Sequence, residues 1–304
     1  MSIGTGDDIA LITPTYRSDL DRFAVLRESI MELGIEYPHL VVVDTEDRPL
    51  FERFADEPFV TLLTTREVVP RSIERGRVAA ANHAAPYRRP DPRFWLLPKQ
   101  VKGWKVQQIV KLAAPQLSAA KVFVAVDSDS FFVRPLDRRD VVGESSKPFL
   151  IETVADEAQT TSWLLSAMRA LGVPLPGAPL HQYIHAPTIL SRSVLLDVQR
   201  TLAAGSRRGW QWAFLRSGAA EYPLHGVQAA LVDDYRSVEK RDTPVGLVWW
   251  TPDTFRSMEE FNQHVVTDSN VRAAALNSTL NLETHVHRTA ARRLRELCAI
   301  EDGR

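Results

Sequence analysis

The chain has 304 residues, of which 44% are hydrophobic and 25% are charged, and its 37 basic residues nearly balance 38 acidic ones. These values are typical of globular proteins, and the balance provides no global positive field for nucleic acid or an anionic membrane. A single cysteine, Cys298, excludes an intramolecular disulfide. No apolar run is long enough for a transmembrane segment and the N-terminus shows no signal-peptide pattern, so we expect a cytoplasmic protein.

The first third of the chain predicts a β-α-β arrangement. Apolar runs at 9–12, 40–43 and 59–63 are typical of buried strands, and residues 18–33 carry a helical repeat. Further strands are predicted at 122–126, 147–152, 181–190 and 245–250, and further helices at 102–113, 161–171, 193–203, 210–215, 227–232, 257–265 and 288–300. Alternating strands and helices predict an α/β fold with a mixed, mainly parallel sheet flanked by helices.

The most informative stretch is KVFVAVDSDSFFVRPL at 121–136, an apolar strand that ends in Asp127-Ser128-Asp129. Two carboxylates so close together repel each other and lose hydration at the end of a buried strand. Mg²⁺ or Mn²⁺ removes that cost and leaves coordination positions open for phosphates. Because ligands bind at the carboxyl ends of strands in open α/β sheets, the stretch indicates a metal site beside a phosphorylated ligand. The competing interpretation is a simple turn.

The helix predicted at 102–113 precedes this strand and has a polar side. Trp104, Gln107, Gln108 and Lys111 recur at spacings of three, four and seven, so they share one face. We expect this face to look into the same cleft, with a solvated surface as the alternative.

Two other segments have open interpretations. Residues 68–98 are rich in arginine, which indicates a solvated loop and surface helix, or side chains that reach substrate phosphates. Residues 172–179 are rich in proline and glycine, which indicates a loop that is either a boundary or a flap over the site.

Several motifs resemble those of one enzyme family. The segment Thr13-Pro14-Thr15-Tyr16, the Gln-rich helix and VDSDSFFVRPL resemble the corresponding parts of glycosyltransferases with the GT-A fold, of the Asp-x-Asp type. The chain is most similar to a poorly characterised bacterial group in which an Asp-Ser-Asp strand, a Tyr-Ile segment, a Trp and a Ser-Glu-Tyr-x-Leu-Tyr-Gly block follow one another. Here these are Asp127-Ser128-Asp129, Tyr183-Ile184, Trp210 and the block 220–226. The resemblance spans about residues 9–280, with Ala220 in place of the usual Ser and His225 in place of the usual Tyr.

The resemblance implies a GT-A-like, Rossmann-related fold and a particular domain organisation. Residues 1–8 would be a flexible N-terminus and residues 9–287 a single catalytic domain, followed by a C-terminal helix at 288–304. Within the domain, 9–136 would be the nucleotide-binding half and 137–287 the acceptor-binding half.

The implied activity is metal-dependent transfer of a sugar from a nucleotide-diphosphate sugar to a glycan or small-molecule acceptor. Donor binding is assigned to Thr13, Thr15, Tyr16, Asp44, Gln108, Lys111 and Asp127. Asp129 would ligate Mn²⁺ or Mg²⁺, with Asp127 holding metal, ribose or water, and a late histidine, His285 or His287, would be a further ligand. On a strand these two histidines would face the same way.

A carboxylate at the start of a helix beyond the metal site often serves as the base in this family. Glu221 matches that position and is assigned, with Asp129, to catalysis. The alternative for Glu221 is a carboxylate that only favours the helix dipole, or one that holds the acceptor in a retaining enzyme.

Three other functions compete with this one. A haloacid-dehalogenase-like phosphatase also uses a strand ending in Asp-x-Asp, and Val232-Asp233-Asp234 matches its second acidic element. A degenerate nucleotide-sugar binding protein would keep the cleft without catalysis. A nucleotidyltransferase shares the metal chemistry but usually has a Gly-rich loop after the first strand, which TPTYRSD lacks. The sequence predicts neither the sugar, the acceptor, the stereochemistry nor the oligomeric state.

Overall fold

A computed structural model describes residues 8–76, 103–154, 158–174, 180–277, 280 and 282–303. Most of the arginine-rich stretch and residues 175–179 of the proline-rich loop therefore lie outside the described residues.

The described residues form twelve strands and twelve α-helices. The strands are β1 Ile9–Thr15, β2 His39–Val43, β3 Val60–Thr64, β4 Val122–Ala125, β5 Ser130–Phe132, β6 Phe149–Ile151, β7 Thr153–Val154, β8 His181–Gln182, β9 Thr188–Ser191, β10 Glu239–Arg241, β11 Gly246–Trp249 and β12 Ala273–Leu276. The helices are α1 Leu20–Glu32, α2 Arg48–Phe51, α3 Thr65–Val68, α4 Gly103–Leu112, α5 Ala114–Leu117, α6 Arg138–Val141, α7 Ala158–Ala170, α8 Arg192–Ala204, α9 Trp210–Ser217, α10 Glu221–Val227, α11 Met258–Thr267 and α12 Thr284–Glu301. A π-helical turn, Gln228–Val232, continues α10.

The central sheet has five strands in the order β3-β2-β1-β4-β9. The first four are parallel and β9 is antiparallel to β4. Successive residues of β1 enter opposite cores, with Ala10 and Ile12 on one face and Ile9 and Leu11 on the other. These pairings confirm the predicted α/β fold with a mainly parallel sheet. The prediction was possible because a sheet buried on both faces needs continuous apolar strands.

Strand β1 extends three residues beyond its predicted end, through Pro14. We predicted a break there because proline cannot donate to a strand ladder. However, β4 pairs only with Ile9–Ile12, so the segment around Pro14 has a ladder on the β2 side alone. Proline is tolerated in such a partly unpaired position. The extension carries Thr15 to the carboxyl edge of the sheet.

A second, three-stranded sheet has the order β11-β12-β5, with β5 antiparallel to β12. Helices α11 and α12 cover it, and their apolar side chains form a separate core with Phe131, Leu276 and the buried Cys298. The C-terminal helix begins at Thr284, four residues before its predicted start. None of the described helices is both long and apolar enough to cross a membrane.

One buried arginine joins the second sheet to the C-terminal helix. The Arg134 side chain is 3% exposed and its guanidinium donates to the carbonyls of Val265, Val266 and Val271 at 2.9–3.1 Å. Its Nε also lies 3.0 Å from Asp302 Oδ2 at the end of α12. One side chain therefore satisfies several backbone acceptors in and just after the last turn of α11.

Replacing Arg134 with methionine is expected to lower the free energy of unfolding by about 3–5 kcal/mol, because buried acceptors and Asp302 lose their partner. Denaturant titration of wild type and variant measures this difference. The control is Asp302→Asn, which keeps the carbonyl contacts and should cost about 1 kcal/mol. Equal losses in the two variants would show that the ion pair, rather than the carbonyl contacts, carries the stability.

Candidate functional site

A cleft of about 610 Å³ opens at the carboxyl edge of the central sheet. Thr15 from the end of β1, Asp44 after β2 and Asp127 after β4 line it. The chain continues to β2 on one side of β1 and to β4 on the other, so the cleft lies where the strand order reverses. Open α/β sheets bind ligands at this position, and the volume is within the range of roughly 300–1,000 Å³ common for small-molecule sites.

Helix α4 lies along the cleft with the face predicted from the sequence. Trp104, Gln107, Gln108 and Lys111 all contribute to the lining. The expectation that this face looks into the cleft, rather than into solvent, is therefore confirmed.

Lys111 is the centre of a buried charged cluster. Its Nζ lies 2.7 Å from Asp127 Oδ1 and 3.2 Å from Glu221 Oε1, and it donates to the Tyr222 hydroxyl at 2.7 Å. Burial alone would lower the pKa of Lys111, but Asp127, Tyr222 and Glu221 outweigh burial and hold the pKa well above its ordinary value. The ammonium is therefore charged at neutral pH and joins the acid pair to Glu221.

Glu221 is the first residue of α10 and is 4% exposed. Burial raises the pKa of its carboxyl, and the attraction of Lys111 offsets this only in part. A carboxyl in a cleft with a raised pKa is well suited to exchange a proton with a bound molecule.

All three residues of Asp127-Ser128-Asp129 line the cleft. Ser128 Oγ donates to Asp19 Oδ2 at 3.1 Å and so ties the loop to the start of α1. The Asp127 side chain is 39% exposed, which leaves it open to a ligand.

The donor atoms at this place suit a hard cation. Asp127, Asp129 and Asn277 present carboxylate and amide oxygens to one cleft. Within the described part of the chain, no three His, Cys, Asp or Glu side chains form a complete metal shell. Mg²⁺ and Mn²⁺ sites that also bind a phosphorylated substrate often use one or two carboxylates, with phosphates completing the shell. The residues present fit such a partial shell.

The late histidines are on helix α12, so the expectation that they lie on a strand and face the same way is wrong. Residues two apart on a helix point about 200° apart. His285 is exposed and pairs with Glu283 at 3.1 Å, whereas His287 is buried edge-on against Phe131. Among the described residues that line the cleft, neither histidine is present. His287 instead contacts the backbone oxygen of Asp129 through Nε2 at 3.0 Å. This contact helps to fix the loop that carries Asp127 and Asp129.

The predicted nucleotide residues divide into two groups. Thr15, Tyr16 and Asp44 line the cleft, as do Gln108 and Lys111. Thr13 of β1 does not line the cleft, because its side chain is fully buried and donates to the Val126 carbonyl after β4.

Thr13 belongs to a buried chain of hydrogen bonds that the sequence analysis missed. Arg27 Nη1 contacts His39 Nδ1 at 2.9 Å, His39 Nε2 contacts Thr13 Oγ1 at 2.8 Å, and Thr13 Oγ1 donates to the Val126 carbonyl at 2.7 Å. Because arginine can only donate, His39 Nδ1 accepts and Nε2 carries the proton. The chain positions Val126, the residue before Asp127. One signal was available, since Arg27 stands four residues after Phe23 and therefore on the apolar face of α1.

Aromatic side chains form part of the cleft wall. Trp163 of α7 lines the cleft and lies 5.6 Å from Trp104 between ring centroids. Of the tryptophans that end β11, Trp249 packs against Phe261, while Trp250 lines the cleft.

The second acidic element of the phosphatase alternative is not at the sheet edge. Asp233 follows a π-helical turn rather than a strand, and Gln228 Nε2 donates to its Oδ1 at 3.0 Å. A second strand-end acid for that chemistry is therefore not provided by this segment.

His225, one of the two departures from the family block, is in the core. It is 1% exposed and its Nε2 accepts a hydrogen bond from the Ser191 backbone N–H at 2.9 Å. Burial lowers the pKa of His225 to about 3. A histidine that is neutral in the folded state and protonated in the unfolded state destabilises the fold as the pH falls below about 6.5.

Stability should therefore fall in mild acid, and His225 should account for about 2 kcal/mol of the loss between pH 6.5 and pH 5. Denaturant titrations at several pH values measure this. In His225→Gln, whose amide oxygen can still accept from Ser191, the loss should shrink by that amount. The exposed His264→Gln is the control and should keep the wild-type profile. An unchanged profile in His225→Gln would contradict the assignment.

Comparisons with known proteins gave a family and a set of distant solved structures that includes the following three. Residues 8–285 match the model of DUF6492, a family of unknown function. The search of curated proteins gave no match. Mouse xyloside xylosyltransferase 1 in its apo form is 9% identical, with a TM-score of 0.45 over 91% of this chain and 100% of that one. The apo bifunctional glycosyltransferase WbbM is 10% identical, with a TM-score of 0.43 over 90% of this chain and 46% of that one. Core-mannan synthase A of Aspergillus fumigatus in its Mn/GDP form is 12% identical, with a TM-score of 0.46 over 77% of this chain and 72% of that one.

Proposed function

Because the chain belongs to DUF6492, a family of unknown function, we propose its activity from the cleft itself. The protein is a metal-dependent glycosyltransferase that moves a sugar from a nucleotide-diphosphate sugar to an acceptor hydroxyl. The observation that carries the proposal is the contact of Lys111 with both Asp127 and Glu221 in one strand-end cleft. It brings acids suited to a metal and diphosphate close to a buried carboxylate suited to accept a proton. The motif resemblance to GT-A enzymes supports the same reaction.

The nucleotide binds at the ends of β1 and β2 in this proposal. Asp44 accepts hydrogen bonds from the ribose or base, and the partly exposed ring of Tyr16 packs against the nucleoside. Thr15 lines the floor between them.

Asp127 and Asp129 would hold Mn²⁺ or Mg²⁺. When bound, such an ion neutralises the negative charge that develops on the departing diphosphate. Lys111 adds a fixed positive charge at the same end of the cleft and costs no reorganisation during the reaction, since its partners already hold it in place.

Glu221 acts as the base. Its carboxylate takes the proton of the acceptor hydroxyl, the acceptor oxygen bonds to the anomeric carbon, and the bond from that carbon to the diphosphate oxygen breaks. The diphosphate leaves with the electron pair. Lys111 remains protonated and orients the Glu221 carboxylate through its 3.2 Å contact.

A thermal-shift screen tests the proposal. Wild type, Asp129→Asn and Asp56→Asn are heated with Mn²⁺ and a panel of nucleoside diphosphates and nucleotide sugars. A ligand at a hundred times its dissociation constant stabilises by roughly 2.7 kcal/mol. We expect a Mn²⁺-dependent shift with one nucleotide class in wild type and in the control Asp56→Asn, an exposed acid on the loop before β3, but not in Asp129→Asn.

The screen also separates the competing functions. If none of the nucleotides shifts the melting temperature of wild type, the proposal is overturned. Release of free phosphate from sugar phosphates, measured in a separate assay, would overturn it as well. Nucleotide binding without transfer or hydrolysis of any donor sugar would instead support the binding-protein alternative.

A further inference from the structure

The cleft wall includes an aromatic face made by Trp104 of α4 and Trp163 of α7. We propose that this face is an acceptor subsite that binds a pyranose ring of an oligosaccharide, one or more units away from the sugar that reacts. The inference rests on the proposed function, since it assigns the acceptor of that same cleft to a substrate class.

The two rings of the pair pack against each other on the cleft wall. Their centroids are 5.6 Å apart and their planes are inclined by 36°. Trp104 is 44% exposed although the aliphatic residues of the same helix enter the main core. A large aromatic ring held at the mouth of a cleft by a second ring marks a place where an apolar surface is covered by a ligand.

The neighbouring polar groups identify the ligand as a carbohydrate. Gln107 and Gln108 lie on the same helix face and also line the cleft. A carboxamide both donates and accepts, so it matches the hydroxyl groups at the rim of a sugar. A pyranose combines such a rim with an apolar C–H face, which packs on indole. An entirely aromatic acceptor would use the rings and leave the amides unpaired.

The position along the helix gives the size of the acceptor. Trp104 and Lys111 are seven residues apart, which is two turns and about 10 Å along the axis. Lys111 contacts Glu221, where the acceptor hydroxyl reacts in our proposal. An acceptor that extends along this axis from Trp104 to Glu221 spans the distance with more than one ring. The acceptor is therefore at least a disaccharide.

The nucleotide is a poorer candidate for the same face. Its proposed site is built from Tyr16 and Asp44 at the ends of β1 and β2, whereas the Trp pair comes from α4 and α7. Each group of residues lines the same cleft from a different set of elements, which allows donor and acceptor to bind together.

Ligand-observed NMR tests the inference without any assay of transfer. The probes are maltose, cellobiose, lactose and chitobiose, their methyl monosaccharides, and p-cresol as an aromatic with a single hydroxyl group. UDP and GDP with Mn²⁺ report on the donor site. The variants are Trp104→Ala, Trp104→Phe, Gln107→Leu and, as a control, Phe59→Ala, an exposed aromatic before β3.

We expect at least one disaccharide to bind wild type more tightly than its monosaccharide. Its affinity should fall about tenfold in Trp104→Ala and in Gln107→Leu, recover largely in Trp104→Phe and stay unchanged in Phe59→Ala. Nucleotide affinity should be the same in every variant.

Other outcomes would overturn the inference. Nucleotide binding without disaccharide binding refutes the subsite and leaves the proposed function standing. Loss of nucleotide affinity in Trp104→Ala would assign the face to the donor, and preferential binding of p-cresol would assign it to an aromatic acceptor. Disaccharide binding without any nucleotide binding would refute both the transferase and the acceptor role of this face.

Discussion

Replacing Lys111 with methionine is expected to lower the free energy of unfolding at pH 7 by about 3–5 kcal/mol and to abolish nucleotide-dependent activity. Lys111 is 5% exposed and its Nζ compensates the buried carboxylate of Glu221 at 3.2 Å. Without the ammonium, burial acts on Glu221 with less opposition and raises the pKa of its carboxyl further. The Tyr222 hydroxyl loses its partner as well. Denaturant titration and a donor-sugar turnover assay measure the two effects.

A double variant separates stability from function. Lys111→Met combined with Glu221→Gln removes both buried charges, so it should recover most of the stability lost in the single variant and remain inactive. The control is Lys121→Met, whose side chain is 75% exposed and pairs with Asp8 at 3.1 Å. Loss of that surface pair should cost about 1 kcal/mol or less. A Lys111→Met protein as stable as wild type would contradict a compensating role for the ammonium.

The central sheet was predictable because each of its first four strands is an apolar run with a clear boundary. Strands β1, β2 and β4 are buried throughout, and that burial requires the β-branched and aliphatic residues from which they were identified. The extension of β1 beyond Ile12 and through Pro14 was not predictable, because it depends on where the pairing with the neighbouring strand β4 ends.

The later part of the chain was predicted less well because its elements depend on contacts between distant segments. The run at 181–190 was expected to be one strand, but β8 and β9 are separate and pair with different partners. The sequence leaves 276–287 ambiguous between strand and helix. Packing of the C-terminal helix against α1 and α11 accompanies a helix that already includes His285 and His287.

The site was predictable where a single element carries the chemistry and unpredictable where two must meet. The face of α4 and the two acids after β4 follow from local spacing. The contact between Lys111 and Glu221 joins residues 110 apart in sequence, and no local pattern reports such a distance. Thr13 shows that closeness in sequence to cleft residues does not place a residue in the cleft. Its side chain is buried inside the sheet and contacts His39.

Glu221→Gln is expected to reduce turnover by about 10²–10⁴-fold while leaving the affinity for the donor nucleotide unchanged. The amide keeps the size of the carboxylate and can still accept from Lys111, but it cannot take a proton from the acceptor. Glu221 is 4% exposed, so the substitution also removes a buried charge, and the Lys111 ammonium that pairs with this charge is shared with Asp127. Nucleotide affinity measured by titration calorimetry, together with kcat and KM for transfer, separates the chemical step from binding.

The pH dependence gives an independent readout of the same residue. A base must be deprotonated to act, so turnover should rise with pH through the pKa of Glu221, which burial raises above the ordinary glutamate range. In Glu221→Gln the residual turnover should no longer rise with pH in this range. The control is Glu36→Gln, an exposed glutamate after α1, in which turnover and its pH dependence should both match wild type. A Glu221→Gln enzyme with near-normal turnover, or with the wild-type pH dependence intact, would show that another group accepts the proton and that Glu221 serves only to hold Lys111.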